Sequence, residues 1–151
     1  MGASLTSYLG VSGHNQFKET NAQGTNGQDG ILFVNSGIRF ADITDGSSNT
    51  LMIGERPPAN NLLYGWQWAG AGDSPYFGAA DVVLGVHERS GDFNNPSDFF
   101  RPGEADDRAN KHRLHFWSFH PGRAQWALAD GSVRFIGYET ASALNGDTGG
   151  P

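Results

Sequence analysis

The sequence contains no cysteine among its 151 residues, so disulfide bridges and cysteine-ligated zinc sites are excluded. Basic residues are also few. Lys and Arg total 10 against 16 Asp and Glu, which gives a formal net charge of -6 and a pI near 5.2. Because nucleic-acid binding selects for a clustered basic face, this balance argues against nucleic acid as a partner.

Long apolar runs are missing as well. No segment approaches the roughly 18 consecutive apolar residues that a membrane-spanning helix needs. The first residues show no basic region followed by an apolar one. We therefore expect no membrane insertion by this chain. The length suits one domain over residues 1–151, with a flexible tail at 145–151.

Glycine, by contrast, is abundant at 22 residues and is accompanied by many Asn, Ser and Asp. This composition is typical of a loop-rich β domain with few long helices. We predict a mainly β fold, a single antiparallel-sheet domain with one or two short helical turns; an α+β arrangement is the alternative. Long polar loops are expected at 12–30 and 88–111. The predicted strands are 4–11, 31–34, 50–55, 62–69 and 81–87.

Two segments carry clear boundary signals. Residues 38–45 suit either a strand or a helical turn that Gly46 would close, and we favour the turn. The strand at 50–55 should end at Arg56-Pro57-Pro58, because consecutive prolines cannot donate to a ladder.

The strongest local signal is an Asp-Gly dipeptide at 130–131, flanked on both sides by alternating apolar residues. Asp-Gly favours a two-residue hairpin loop in a type I′ turn, which needs positive φ at both central positions. That loop predicts a hairpin over 124–136 whose large apolar side chains share one face. The predicted cross-strand pairs are Ala129 with Ser132, Leu128 with Val133, and Trp126 with Phe135.

The same segment carries a motif of wider significance. His120, nine intervening residues and then Asp130-Gly131 resemble the H-X9-DG motif of the DUF1559 family, the prepilin-type processing-associated bacterial proteins. Further blocks similar to this family occur in the family's order along most of the chain. These blocks are 6–11, 43–55, 81–86 and 116–122.

The resemblance implies a pilin-like globular head and an extracellular or cell-surface location. Full-length members look like type IV pilin precursors with a basic leader and a long apolar N-terminal helix, and we expect neither in the sequence as given. The family has no established reaction. The resemblance marks five residues as structural motif positions, and His120 is expected to pack near the hairpin and to bond a backbone carbonyl or Asp130. The five positions are Asp45, Gly46, His120, Asp130 and Gly131.

Three aromatic residues, Tyr64, Trp66 and Trp68, alternate along the predicted strand at 62–69 and would project from one face. Such a row suits a carbohydrate or peptide platform. It equally suits a core or a subunit contact, because large aromatic rings dominate the energetics of both.

Metal ligation is possible in principle for His112, His115, His120 and Asp130. If 114–120 were one strand, however, His115 and His120 would point to opposite faces because their separation is odd. We therefore predict no transition-metal site.

Calcium is the remaining cofactor possibility. Asp42, Asp45 and Asn49 offer oxygen ligands at short spacing, but they lack the frame and the distal Glu of an EF-hand. Turn chemistry explains Asp45-Gly46 as well.

Catalytic patterns are not found. Ser118 has no Gly-x-Ser-x-Gly elbow to expose it, and no glycine-rich phosphate loop precedes a helix. No catalytic residue is predicted.

Two hypotheses of function follow. The first is a non-enzymatic structural subunit of an extracellular, pilin-like filament, whose partner is another copy of itself, joined through sheet edges, termini and aromatic contacts. The second is a monomeric extracellular module that binds a solute or glycan on the aromatic platform.

Overall fold

The computed structural model describes residues 4–13, 29–33, 36–62, 64–65, 82–86, 100–108 and 111–140. Within these ranges the elements are strands and one isolated 3-10 turn, followed by a short helix that begins at Tyr138. The strands are β1 (Tyr8–Gly13), β2 (Leu51–Glu55), β3 (Val83–Gly85), β4 (Arg123–Leu128) and β5 (Val133–Gly137), with the 3-10 turn at Phe40–Asp42.

The strands form one five-stranded sheet in the order β3-β1-β2-β4-β5. The pairs β1–β2, β2–β4 and β4–β5 are antiparallel, whereas β3 is parallel to β1. The mainly β prediction is confirmed, but the sheet is mixed rather than antiparallel. A parallel pair needs a crossover connection of a dozen residues or more, and the chain between β1 and β3 is long enough to provide it.

One face of the sheet, the inner face, carries the core. Trp126 of β4 lies at the centre of this face, with its ring 4.7 Å from that of Phe116 and 5.1 Å from that of Phe100. Gly54 of β2 is required beneath these rings, because a Cβ there would lie 2.5 Å from Trp126 and 2.6 Å from Phe116. The buried core residues are Leu9, Val11, Leu84, Phe100, Phe116, Ala124, Trp126 and Tyr138.

The hairpin at 124–136 is confirmed, but its predicted register is wrong by one residue. Trp126 pairs with Arg134, and Gln125 pairs with Phe135. Directly opposed residues share a face of a sheet, so Trp126 and Phe135 lie on opposite faces. Trp126 is buried at 1% exposure, whereas Phe135 is 46% exposed.

The register differs because the turn differs. Gly131 N donates to the Leu128 carbonyl at 3.0 Å, and Leu128 N donates to Ser132 O at 2.9 Å, which leaves a three-residue loop. Gly131 has a φ of +84°, whereas Asp130 is not among the described positive-φ residues, so the type I′ turn is absent. The geometry is a type I turn followed by a left-handed glycine, the usual three-residue hairpin loop.

The other strand predictions have mixed outcomes. The strand at 50–55 and its end at Arg56 are confirmed, and residues 38–45 contain the favoured helical turn. Residues 31–33 are not a strand. Gly30 N donates to the Ser12 carbonyl and Leu32 N donates to the Val11 carbonyl. These carbonyls belong to consecutive residues, whereas a β-ladder would use the carbonyls of every second residue.

The described part of the segment at 62–69 is not a strand either, and Leu62 has a φ of +58°. Residues 116–118 are irregular, so the strand at 114–120 that was considered for His115 and His120 does not form. The tail at 145–151 and most of the loops at 12–30 and 88–111 lie outside the described residues.

Candidate functional site

The Asp-Gly turns at 45–46 and 130–131 meet in space. The hairpin tip lies against the turn at 45–50, where Asp130 N donates to the Ser47 carbonyl at 3.1 Å and Ala129 N donates to the Thr50 carbonyl at 2.9 Å. Both contacts use backbone atoms only. The side chains of these turns therefore contribute to the contact by holding each backbone in the conformation that makes these bonds.

Asp130 fixes the shape of its own turn. Its Oδ1 accepts from the Ser132 N–H at 2.8 Å and from the Ser132 hydroxyl at 2.7 Å. These two hydrogen bonds from Ser132 favour the charged form and lower the pKa of the Asp130 carboxyl. Asp130 is thus a turn residue at an exposed tip.

The turn at 45–50 is closed in a similar way. Gly46 has a φ of +88°, and its carbonyl accepts from Asn49 N and from the Thr50 hydroxyl, both at 3.0 Å. The Asn49 side chain donates to the Asp45 carbonyl at 3.1 Å. The motif positions Asp45 and Gly46 therefore lie in a closed turn that docks on the hairpin.

The three calcium candidates are in this region. The Asp42 carboxylate accepts from the Arg39 guanidinium at 2.9 and 3.0 Å, and these bonds lower its pKa. Asn49 is used by the turn, as described above. Across the described ranges, no group of three or more His, Asp or Glu side chains could hold a metal ion.

His120 lies at the opposite end of the hairpin from Asp130. Its Nε2 is 3.9 Å from Oε1 of Glu55, and its ring packs edge-on against Phe135 at 5.2 Å. The prediction that His120 packs near the hairpin is confirmed. The predicted bond to Asp130 or to a carbonyl is wrong, because the imidazole faces the carboxylate at the end of β2.

Glu55 is the residue that sequence analysis missed here. Its side chain is only 8% exposed, and its Oε2 accepts from Gln125 N at 3.0 Å, while its carbonyl accepts from Trp117 N at 2.9 Å. Glu55 ends the family-like block at 43–55, and His120 opens the H-X9-DG motif. The position of Glu55 as the last residue of that block was the available signal.

The second face of the sheet, which we call the outer face, is open beside this pair. It carries Tyr8, whose hydroxyl donates to Gln125 Oε1 at 2.9 Å, and Phe135, whose ring lies 4.4 Å from the Arg123 guanidinium carbon. Phe135 is 46% exposed, Tyr8 48% and Val133 65%. Such a group of exposed apolar side chains is a candidate interaction surface.

The proposed aromatic platform is not supported at Tyr64, which is fully buried. Its hydroxyl donates to Asp107 Oδ2 at 3.2 Å, and Arg56 lies 4.9 Å above its ring. Burial and the adjacent Asp107 charge raise the pKa of Tyr64. Trp66 and Trp68 lie outside the described residues.

Asp107 organises a buried polar centre around Tyr64 that the sequence did not reveal. Its carboxylate also accepts from the backbone N–H groups of Lys111 and His112, both at 2.7 Å. Arg56 donates to the Arg113 carbonyl at 2.8 Å. These polar contacts thus connect residues 56 and 64 with residues 107 and 111–113.

His112 and His115 form a buried pair in the same region. His115 Nδ1 must donate to the Phe116 carbonyl at 2.9 Å, so its Nε2 accepts from His112 Nδ1 at 2.8 Å. Burial, with a contribution from the charge of Arg101, lowers the pKa of His115 to about 3. His115 is therefore neutral at pH 7, and it does not converge with the exposed His120.

The geometry describes a mainly β, mixed-sheet domain with docked motif turns, a buried polar centre and an open outer face. The chain belongs to the family described as "Protein of unknown function (DUF1559)", SBP_bac_10, whose model matches residues 3–143. No curated protein and no solved structure matches the chain. Among the residues described, no helix is both long enough and apolar enough to cross a membrane.

Proposed function

We propose that this protein is a non-enzymatic structural subunit that associates with copies of itself in a pilin-like filament outside the cell. The observation that carries the proposal is the outer face, where Tyr8 of β1 and Val133 and Phe135 of β5 expose large apolar side chains. Apolar surface of this kind is stabilised when a partner removes it from water.

The position of this surface favours assembly over a small-molecule site. Val133 and Phe135 lie on β5, the last strand of the sheet, and no described strand pairs with its other side. Edge strands are templates for pairing with a further chain, and proteins that stay monomeric protect them with charges, prolines or bulges. Here Arg134 is the only charged residue of β5.

Assembly is tested by sedimentation velocity and negative-stain microscopy on the full chain over a range of concentrations. The double variant Val133→Thr with Phe135→Thr keeps residues suited to a strand but removes much of the apolar area. We expect self-association to weaken by about tenfold or more, which corresponds to roughly 1.4 kcal/mol.

The matched control is Phe40→Thr. Phe40 is 76% exposed but lies on the isolated 3-10 turn and not on a strand of the sheet. We expect this variant to assemble like the original chain. A chain that remains a 16.2 kDa monomer at every concentration would contradict the proposed function.

A further inference from the structure

The open edge of β5 has a defined set of free backbone groups. At the two ends of the hairpin, Leu128 N donates to Ser132 O and Tyr138 N donates to Gly122 O. Hydrogen-bonded positions alternate along an antiparallel ladder, so the backbone N–H and C=O groups of Arg134 and Ile136 also point towards β4. The N–H and C=O groups of the odd-numbered residues therefore point away from the sheet. These residues are Val133, Phe135 and Gly137.

The same residues present their side chains on the outer face. Phe135 lies opposite Gln125, and Val133 lies opposite Ala127, both on that face. An incoming strand would thus find backbone donors and acceptors and, directly beside them, the two exposed apolar side chains. This combination is the requirement for recognition by strand addition.

The geometry of the edge allows few ways to pair β5 with itself. Only odd-numbered residues can exchange hydrogen bonds across the new interface, so an antiparallel pair is centred on Arg134, Phe135 or Ile136. Centring on Ile136 would place Val133 opposite Glu139, beyond the end of β5, and would leave less of the strand paired. Centring on Arg134 would place two guanidinium groups directly opposite each other, which destabilises a cross-strand pair. Centring on Phe135 instead places Arg134 opposite Ile136 of the partner subunit.

We propose that two copies of this chain associate by antiparallel pairing of their β5 strands, with Phe135 opposite Phe135 of the partner subunit. The two five-stranded sheets then continue into one another. Val133 lies opposite Gly137 of the partner subunit, and the two phenyl rings form a cross-strand aromatic pair on the outer face. The pairing is isologous, so it builds a two-fold unit that a filament would repeat through other contacts.

We infer a second copy as the partner because a second β5 strand is complementary to the first. A partner strand must bring an apolar residue to Phe135 and must keep positive charge away from Arg134, and a second β5 in this register does both. This proposal rests on the self-association proposed above and adds to it the strand, the direction and the register.

Disulfide crosslinking of single-cysteine variants tests the register directly. The natural sequence has no cysteine, so each variant has a single thiol. In an antiparallel hydrogen-bonded pair the opposed Cα atoms are about 5.5 Å apart, which is within the range of a disulfide. The Phe135→Cys chain should therefore form disulfide-linked dimers under mild oxidation. In Arg134→Cys the two Cα atoms would be diagonal neighbours about 8 Å apart, too far for a bridge.

A Phe40→Cys chain, whose cysteine is exposed on the 3-10 turn and not on β5, measures the rate of random collisional crosslinking. We expect Phe135→Cys to crosslink at least tenfold faster than either of the other two variants, with circular dichroism unchanged. Crosslinking of Phe135→Cys at only the collisional rate of Phe40→Cys would overturn the register.

The remaining outcomes separate this inference from the proposed function. If no cysteine on β5 crosslinks above the collisional rate while the original chain still assembles in sedimentation, the β5 interface is overturned and the structural role stands. If the original chain does not assemble at all, both are overturned.

Discussion

Nε2 of His120 lies 3.9 Å from Oε1 of Glu55, at the point where the chain leaves the irregular segment before β4 and meets the end of β2. The Glu55 carboxylate is held from its other side by the Gln125 N–H. A nearly buried acid thus connects β2, β4 and the histidine of the H-X9-DG motif, and its replacement tests whether this junction stabilises the fold.

Glu55→Ala should lower the free energy of unfolding by about 1–3 kcal/mol, because it leaves the Gln125 N–H without its acceptor in a nearly buried place. Glu55→Gln retains an acceptor oxygen and should lose less. Urea denaturation of the two variants and the original chain measures the difference. Equal losses in both variants would show that the hydrogen bond to Gln125 contributes nothing.

Gly131 tests the turn without testing packing. Its φ of +84° is costly for residues with a side chain, yet a Cβ there would meet nothing within 4 Å. Gly131→Ala should therefore cost about 1–2 kcal/mol of unfolding free energy from backbone strain alone. Gly131→Asn should cost less, because Asn tolerates the left-handed region. Thermal and urea unfolding give both values, and an Ala variant as stable as the original would refute the turn assignment.

Gly54 is the complementary case. Its φ is not positive, but a Cβ would overlap the rings of Trp126 and Phe116. Gly54→Ala should destabilise the protein by about 1–3 kcal/mol or more through overpacking. The additional variant Phe116→Leu should recover part of this loss by making room, whereas it should only destabilise the chain that retains Gly54. Denaturation of the four chains in a double-mutant cycle measures the coupling.

The buried His115 predicts a dependence of stability on pH. Its pKa is about 3 in the folded protein against 6.5 for an ordinary histidine, so between these values the unfolded chain binds a proton that the folded chain does not. The stabilisation is therefore fully present above pH 6.5 and is lost as the pH falls, by up to about 1.4 kcal/mol per pH unit.

Urea denaturation at several pH values from 7.5 down to 4.5 measures this slope. The control is His115→Phe, which keeps a ring in the cavity but cannot titrate. It should be less stable at pH 7.5, because it loses the bonds to His112 and Phe116, and its stability should fall less steeply with acid. Identical slopes in the two chains would contradict the assignment to His115.

Local patterns predicted the elements that depend on local chemistry. The end of β2 at Arg56 follows from two prolines, and the turn at Gly46 follows from the conformational freedom of glycine. Asp130-Gly131 located the hairpin correctly. The register failed because Asp-Gly fits two loop lengths, and the extra residue, Ala129, is held by a bond to Thr50 that lies far away in sequence.

The remaining failures have the same physical origin. The parallel pairing of β3 with β1 is a long-range choice that no short pattern encodes. Tyr64 alternates with Trp66 and Trp68 as a strand residue would, yet tertiary contacts with Asp107 and Arg56 bury it in an irregular segment. Asp107 is joined to Tyr64 by a contact 43 residues apart in sequence, which no short pattern encodes, so the polar centre could not be predicted.

The contact between the two motif turns has a consequence for local unfolding. Asp130 and Ala129 donate their amide hydrogens to the segment at 47–50, so neither turn can open without breaking the other's backbone bonds. In native-state hydrogen exchange, the amides of these two regions should open together, with one common free energy, although some eighty residues of chain separate them.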